Sequence, residues 1–206
     1  VSDEQLDERF FRLATEVAGD PTRLPALFPA VGRLVGRGPT DPGDPDGLRV
    51  PRIEDRARAA LVAAVAASSR LSHAELAMML TELYEDGDAD EKRGVLRALD
   101  DVLDTLGLLG LVEDGLRSND PRLVAAAMGR YADRHLGADG WRHGVLKCLF
   151  VGVPLDAVAA WTGRVDDELA RMTAAFVAER ESAGRTVPED ARRILALNPR
   201  AAEGER

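Results

Sequence analysis

An all-α fold is predicted by three observations. Apolar residues recur at helical spacing in segment after segment, no segment reads as a convincing strand, and aromatics are scarce. Aromatics make up 4% of the 206 residues and apolar residues 45%. Alanine and leucine must therefore supply most of the packing, which favours close helices over a sheet rich in Val, Ile and Tyr. About eight or nine helices are expected, in an antiparallel, HEAT-like stack or an irregular bundle. No exact repeat is present, so the stack rests on the succession of elements alone. One helical domain over residues 1–200 is the simplest organisation for this length, and such a chain can bury a core without metal or disulfide.

The first helix is expected from about Ser2 to Ala18, with Phe10, Leu13, Ala14 and Val17 on one face and Gly19, Asp20 and Pro21 closing it. "TRLPALFPAVGRLVG" carries two prolines and two glycines and predicts a short or kinked pair of helical turns. "GRGPTDPGDPDGLRVP", residues 36–51, has no regular apolar face. It reads as an exposed loop or disordered excursion, either a mobile lid or, more simply, an insertion between helices.

Ile53 to Ala67 predicts an alanine-rich helix that neighbours approach closely. Ser72 and Glu75 make a capping box for a helix with Leu76, Met79, Leu80 and Leu83 inward. "DADEKRGVLRALDDVLDTLG" reads as one helix, with Leu96, Leu99, Leu103 and Leu106 on one face and Gly107 and Gly110 as stops. Asp120 and Pro121 fit the N-cap and first position of the next, along which Leu123, Ala127 and Tyr131 align, with His135 close beside them. "WRHGVLKCLF" forms a helix after Gly140, and Pro154 begins a short one through Trp161. "DDELARMTAAFVAERESAG" turns Leu169, Met172 and Phe176 inward. Thr186 and Glu189 predict a capping box for the last helix, and residues 201–206 a flexible tail.

The net charge of −9 and pI near 4.9 repel phosphate backbones, and no basic run with interleaved aromatics occurs, so no nucleic-acid partner is expected. Cys148 is the only cysteine, which rules out an intrachain disulfide and fits a reducing, cytoplasmic setting. "VSDEQLDERFF" opens acidic, without the apolar core of a signal peptide. No segment approaches the roughly 20 apolar residues that span a bilayer.

No metal, cofactor or catalytic residue is assigned. His73, His135 and His143 lack HExxH or paired CxxC context, and a metal site would need His135 and His143 to converge, with Asp133 or Asp139. Five helical residues separate His143 from Cys148, which turns their side chains roughly 140° apart, unsuited to thiolate activation. "GRLVGRG" and "GLLGLVEDG" lack the lysine and strand of a phosphate loop. The better candidates are polar residues near helix ends: Arg117, Asn119, Trp141, Lys147, Glu179 and Arg180. Gathered by facing helices, the cations would attract an anionic or polar metabolite and Trp141 would cover its apolar part. The plainer account is helix capping and buried Arg–Asp/Glu pairs.

The same segments carry a family resemblance. "RSND" is similar to an Arg-Thr-Asn turn, with Arg117 and Asn119 kept and Ser118 in place of threonine. "GWRHGVLKCLFVGVPL" is similar to a Trp-Asn-Gln segment followed by Val-Leu-Lys-Ala-Phe and Gly-x-Pro-Leu, keeping Trp141, Lys147, Phe150, Gly152, Pro154 and Leu155. "GRVDDELARM" fits an arginine before a helix of the Asn-Pro-Glu-Leu-Ala-Arg kind. "AERESAGRTVPEDARRI" is similar to a His-Glu-Arg-Trp-x-Ala-Gly-Arg segment, keeping Glu179, Arg180, Gly184 and Arg185. Together they resemble the EboA family of "metabolite traffic" proteins, as a divergent member. The family's Asn-Gln pair is Arg142-His143 here, its histidine is Ala178 and its second tryptophan is Glu181.

The resemblance implies a cytoplasmic accessory protein of a secondary-metabolite or isoprenoid-related pathway whose clusters include a UbiA-type prenyltransferase. The expected function is binding of a small metabolite or pathway protein in a cleft between C-terminal helices, with peripheral docking to a membrane enzyme as an option. One alternative is an enzyme on a small intermediate, with Glu179 or Asp120 as a base of raised pKa and Lys147 or Arg180 stabilising negative charge. Another is a non-catalytic protein-interaction scaffold.

Overall fold

The leucine- and alanine-rich segments fold as helices throughout the computed structural model, which describes residues 3–102, 104–105 and 107–198. Eleven α-helices and four 3-10 turns form, and no strand occurs among the described residues. In order they are α1 (Asp3–Gly19), α2 (Leu24–Leu34), α3 (Ile53–Ala67), α4 (His73–Glu85) and α5 (Ala89–Ala98), then α6 (Leu109–Arg117), α7 (Pro121–Ala127) and α8 (Arg130–His135). The chain finishes with α9 (Ala138–Val151), α10 (Asp167–Ser182) and α11 (Glu189–Leu197). Ser2, Leu103, Leu106 and the tail at 201–206 lie outside the described residues.

The helices pack as an irregular bundle. α1 packs on α3, α3 on α5, α5 on α7 and α7 on α9, while α2, α4 and α6 lie against α3, α5 and α7. α10 pairs with α11 and touches α9. One apolar cluster runs through the row from Leu13 to Ile194, including Phe28, Leu61, Leu80, Leu96, Val124 and Trp141. Leu13 and Val17 are buried on α1 as their spacing predicts, and so are Leu76, Leu80 and Leu83 on α4. The Ser72–Glu75 capping box is complete, and Asp120 caps α7 with Pro121 at its first turn. Asp88 and Glu91 form a second box ahead of α5.

The helix count exceeds the expected eight or nine because "LGLVEDGLR" adds α6 and one long segment divides into α7 and α8, while another breaks near its end. The segment after Asp88 leaves the α-helix at Ala98 and tightens into a 3-10 turn, Leu99–Asp101. The segment after Asp120 breaks between α7 and α8, at Gly129. One contact joins the two breaks. The Asp100 carboxylate accepts the backbone N–H of Tyr131 at 2.9 Å, capping α8 from a distant part of the chain. A Cβ on Gly129 would fall 2.6 Å from that carboxylate, so the close approach requires glycine. α6, formed from "LGLVEDGLR", follows Gly107, whose φ of +90° reverses the chain. The segment after Pro154 is not one short helix but two 3-10 turns, Leu155–Ala157 and Trp161–Arg164. The Thr186–Glu189 capping box does not form. α11 starts after Pro188, and the Thr186 carbonyl instead accepts Arg180 Nε at 2.7 Å.

A charged layer lies inside the bundle between α3 and α5. Arg93, 1% exposed, donates from Nε and Nη2 to the two oxygens of the fully buried Asp55, at 2.8 and 3.1 Å. Its Nη1 meets Asp90 at 2.7 Å, and its Nη2 also reaches Glu54 at 3.3 Å. Arg58, equally buried, donates to the carbonyls of Phe28 and Asp90, linking α2, α3 and α5. The fork of a guanidinium suits such a bidentate pair, which a lysine would not reproduce.

Residues 36–51 form an ordered loop with no regular element. Buried Asp44 accepts three backbone N–H groups, from Leu48, Arg49 and Val50, at 3.0, 2.8 and 2.8 Å. Thr40 Oγ1 donates to the Pro51 carbonyl, Ile53 N to Gly38 O, and Arg52 to the Pro45 carbonyl. Burial raises the Asp44 carboxyl, but the three N–H groups outweigh it and hold it below its ordinary value. These bonds arrange the loop around one carboxylate.

Asp55→Ala strands the Arg93 charge and should lower stability by about 3–5 kcal/mol, read by urea unfolding. Arg192→Ala, from the exposed Arg192–Glu189 pair, should leave the midpoint unchanged. The Asp44 contribution is full above the unfolded carboxylate pKa of about 3.9 and is lost as pH falls through the lowered folded value. Amide protection at Leu48, Arg49 and Val50 should persist down to about pH 4 and collapse below it. Protection that is already absent at neutral pH would refute the Asp44 clamp.

Candidate functional site

A cleft of about 620 Å³ opens between α3, the end of α5 and the segment after Pro154. Its floor on α3 is Ala59, Ala60 and Ala63, and Ala157, Val158 and Ala159 form the facing wall. α3 is alanine-rich on this side because side chains the size of leucine would fill the space. Arg49, Arg56, Arg97 and Arg130 line the rim and wall, with Asp55, Asp100, Asp101 and Asp156 among them.

Local structure fixes each charged group differently. Arg97, on the last turn of α5, spends Nη2 on the carbonyls of Gly47 and Leu48 at 2.9 and 2.6 Å, which pins the ordered loop to the cleft. Its Nε is buried without an acceptor, and burial lowers its pKa. Arg130 donates to the Asp100 carbonyl at 2.6 Å and lies 3.7 Å from Asp101. Asp55 is taken by Arg93, and Asp156 by Arg193 at 2.8 Å. Burial raises the carboxyls of Asp100 and Asp101. No residue of this cleft belongs to the set chosen from sequence. "LRALDD" reads along the chain as a helix with a solvated acidic face. Only the docking of α8 and the loop turns Arg97 and Asp100 into the wall of a cleft.

The residues chosen from sequence occupy several places. Lys147 Nζ donates to Asn119 Oδ1 at 2.7 Å and lies 5.9 Å from the ring centroid of Phe150, joining the α6–α7 turn to α9. Arg117 pairs with Asp114 at 3.0 Å and lines a separate recess with Tyr84 and Lys92. Tyr84 donates to Asp114, and burial with that bond raises the phenol well above its ordinary value. Trp141 is 2% exposed, with the Arg164 guanidinium 4.7 Å from its ring centroid and a small recess at its edge. Glu179 and Arg180 shape the end of α10. Gly184 is left-handed at φ +65°, Arg185 N returns to the Arg180 carbonyl, and Arg185 lies 3.7 Å from Glu179. The Lys147–Asn119 pair is thus brought together, while Trp141 and Arg117 line different recesses.

The groups weighed for catalysis have structural partners. The Asp120 carboxyl is lowered, first by the Arg122 hydrogen bond at 2.7 Å, which opposes the raised pKa a general base needs at neutral pH. Glu179 is exposed. His143 Nδ1 meets the Asp139 carbonyl at 2.8 Å, and Cys148 is fully buried among core side chains. His135 stacks on Tyr131, with ring centroids 4.3 Å apart. Among the described residues, no group of three or more His, Cys, Asp or Glu is placed to hold a metal ion, and no helix is long and apolar enough to cross a membrane. Burial pushes the Cys148 thiol up to about 12, so its alkylation at neutral pH should follow global unfolding only. Fast labelling of the native protein by iodoacetamide would contradict this placement.

No curated protein and no solved structure matches the chain. A family model, Metabolite traffic protein EboA, matches residues 49–196. This span runs from the loop that closes the cleft, through the buried α3–α5 charges, to the last helix, well over half of the chain. The chain belongs to the EboA family.

Proposed function

We propose that the protein is a non-catalytic accessory component that binds a small metabolite. The observation carrying this reading is the cleft on α3, with its alanine floor and its arginine rim closed by an ordered loop. Concave sites that combine a small apolar floor with a few placed polar groups are typical of metabolite binding. The family description, metabolite traffic, points the same way. An isoprenoid-related or other secondary-metabolite pathway in the cytoplasm is the setting proposed. The row α1, α3, α5, α7, α9, flanked by α2, α4 and α6, is proposed as a HEAT-like stack that supplies this concave surface.

A second role is supported by the C-terminal half. Phe150 is 64% exposed beside the Lys147–Asn119 pair, an apolar group next to fixed polar ones. This surface is proposed as the contact for a pathway protein, in place of an enclosed C-terminal cleft for the metabolite. A Phe150→Glu variant that keeps metabolite binding while pathway output in cells falls would separate the two surfaces.

The metabolite reading predicts a mass adduct on protein purified from producing cells, seen by native mass spectrometry. Ala60→Trp fills the cleft floor and should abolish the adduct with little change in thermal midpoint. An adduct that survives Ala60→Trp would remove the cleft from the function.

A further inference from the structure

We propose that the cleft recognises an organic oxyanion, a carboxylate or phosphate on a compact apolar body, with Arg97 and Arg56 meeting its charge. The proposal deepens the metabolite-binding reading and rests on it.

Two arginines one turn apart on α5 have contrasting surroundings. Arg93 is satisfied by Asp55, Asp90 and Glu54. Its pKa is raised, those partners outweighing burial. Arg97 lines the cleft with no ion pair of its own and with a buried Nε that has no acceptor. Burial, the largest influence on Arg97, lowers its pKa. Withdrawing a guanidinium from water without a counter-charge is costly, and an unmade hydrogen bond adds to the cost. The fold bonds carboxylates directly to Arg93, whereas Asp55, Asp100 and Asp44 act on Arg97 only through space and do not offset its burial.

The acidic residues of the cleft do not fill this role. Asp55 is bidentate to Arg93, Asp156 pairs with Arg193, Asp100 accepts the Tyr131 N–H, and Asp101 lies beside Arg130. Arg56, exposed on α3, lies 5.9 Å from the Phe10 ring centroid and makes no ion pair among the described residues. Two cations without carboxylate partners thus border one alanine floor. An anion held there would give Arg56 and Arg97 a direct ion pair, and its apolar body would lie on Ala59, Ala60 and Ala63.

The test is a titration of the isotope-labelled full chain with benzoate, phenyl phosphate and neutral benzamide, each at millimolar concentration. Resonances of Ala60, Ala63, Ala157 and the Arg97 Nε–H report the cleft. At least one anion should shift them while benzamide does not. A response to phenyl phosphate alone assigns a phosphate, to benzoate alone a carboxylate, and to both a general oxyanion site. Arg56→Gln and Arg97→Gln should each weaken the anion by about tenfold or more. Arg97→Gln also releases the Gly47 and Leu48 carbonyls. If it disturbs the loop, Arg56→Gln decides, because the Arg56 side chain holds no hydrogen bond among the described residues. Benzamide shifting the cleft as strongly as benzoate, or Arg56→Gln leaving anion binding unchanged, overturns the charge recognition while metabolite binding stands. No shift from any probe also overturns it. The metabolite reading itself falls only if the mass adduct is absent or survives Ala60→Trp.

Discussion

The two hydrogen bonds from Arg93 to Asp55 are the constraint on which the rest of the molecule depends. Both side chains are removed from water, so each needs the other. Their bidentate geometry fixes the spacing and rotation of α5 against α3. Arg58, donating to the carbonyls of Phe28 and Asp90, then ties α2 to the same joint. A core of alanine and leucine alone leaves helices free to slide, because apolar contact is nondirectional. The buried charges supply direction. With α3 and α5 registered, the alanines of α3 face outward between Arg56 and Arg97, and the cleft has its floor.

A second polar joint sets the opposite wall. The Asp100 carboxylate accepts the Tyr131 N–H from the 3-10 turn that ends α5, and α8 begins afresh after Gly129. Arg97, one turn before, reaches the loop carbonyls of Gly47 and Leu48. Residues far apart in sequence thus converge within a few side chains of one another. Arg97 holds the loop with one nitrogen and keeps the rest of its guanidinium without an acidic partner.

In the C-terminal half, the residues through which the chain resembles and departs from its family have clear structural work. Arg142, where the family pattern has asparagine, pairs with Asp166, the cap of α10, and with Asp139 on its own helix, both at 2.6 Å. Trp141 beside it is buried against Arg164. "ERESAGR" makes the turn that ends α10, using left-handed Gly184 and the Arg180–Thr186 contact. The departure at Arg142 therefore joins α9 to α10 beside the recess at Trp141.

Periodicity and capping chemistry, both local, determined much of this protein by themselves. The helical class, the inward faces of α1 and α4, the Ser72–Glu75 box and the Asp120–Pro121 start all depend on residues within a few positions of one another. The motifs from Arg117 onward carried the family. Tertiary structure alone decided the breaks at Ala98 and Gly129, the attachment of the 36–51 loop to α5 and the position of the cleft. Each turns on a polar group finding a partner about 30 or more residues away, or, for Arg97 Nε, finding none. Asp100 and Tyr131, Arg97 and Leu48, and Arg93 and Asp55 are such partners, joined only by folding. Charged side chains read along a helix look alike. Which becomes solvated surface, buried clamp or vacant cation depends on what the neighbouring helices bring to it.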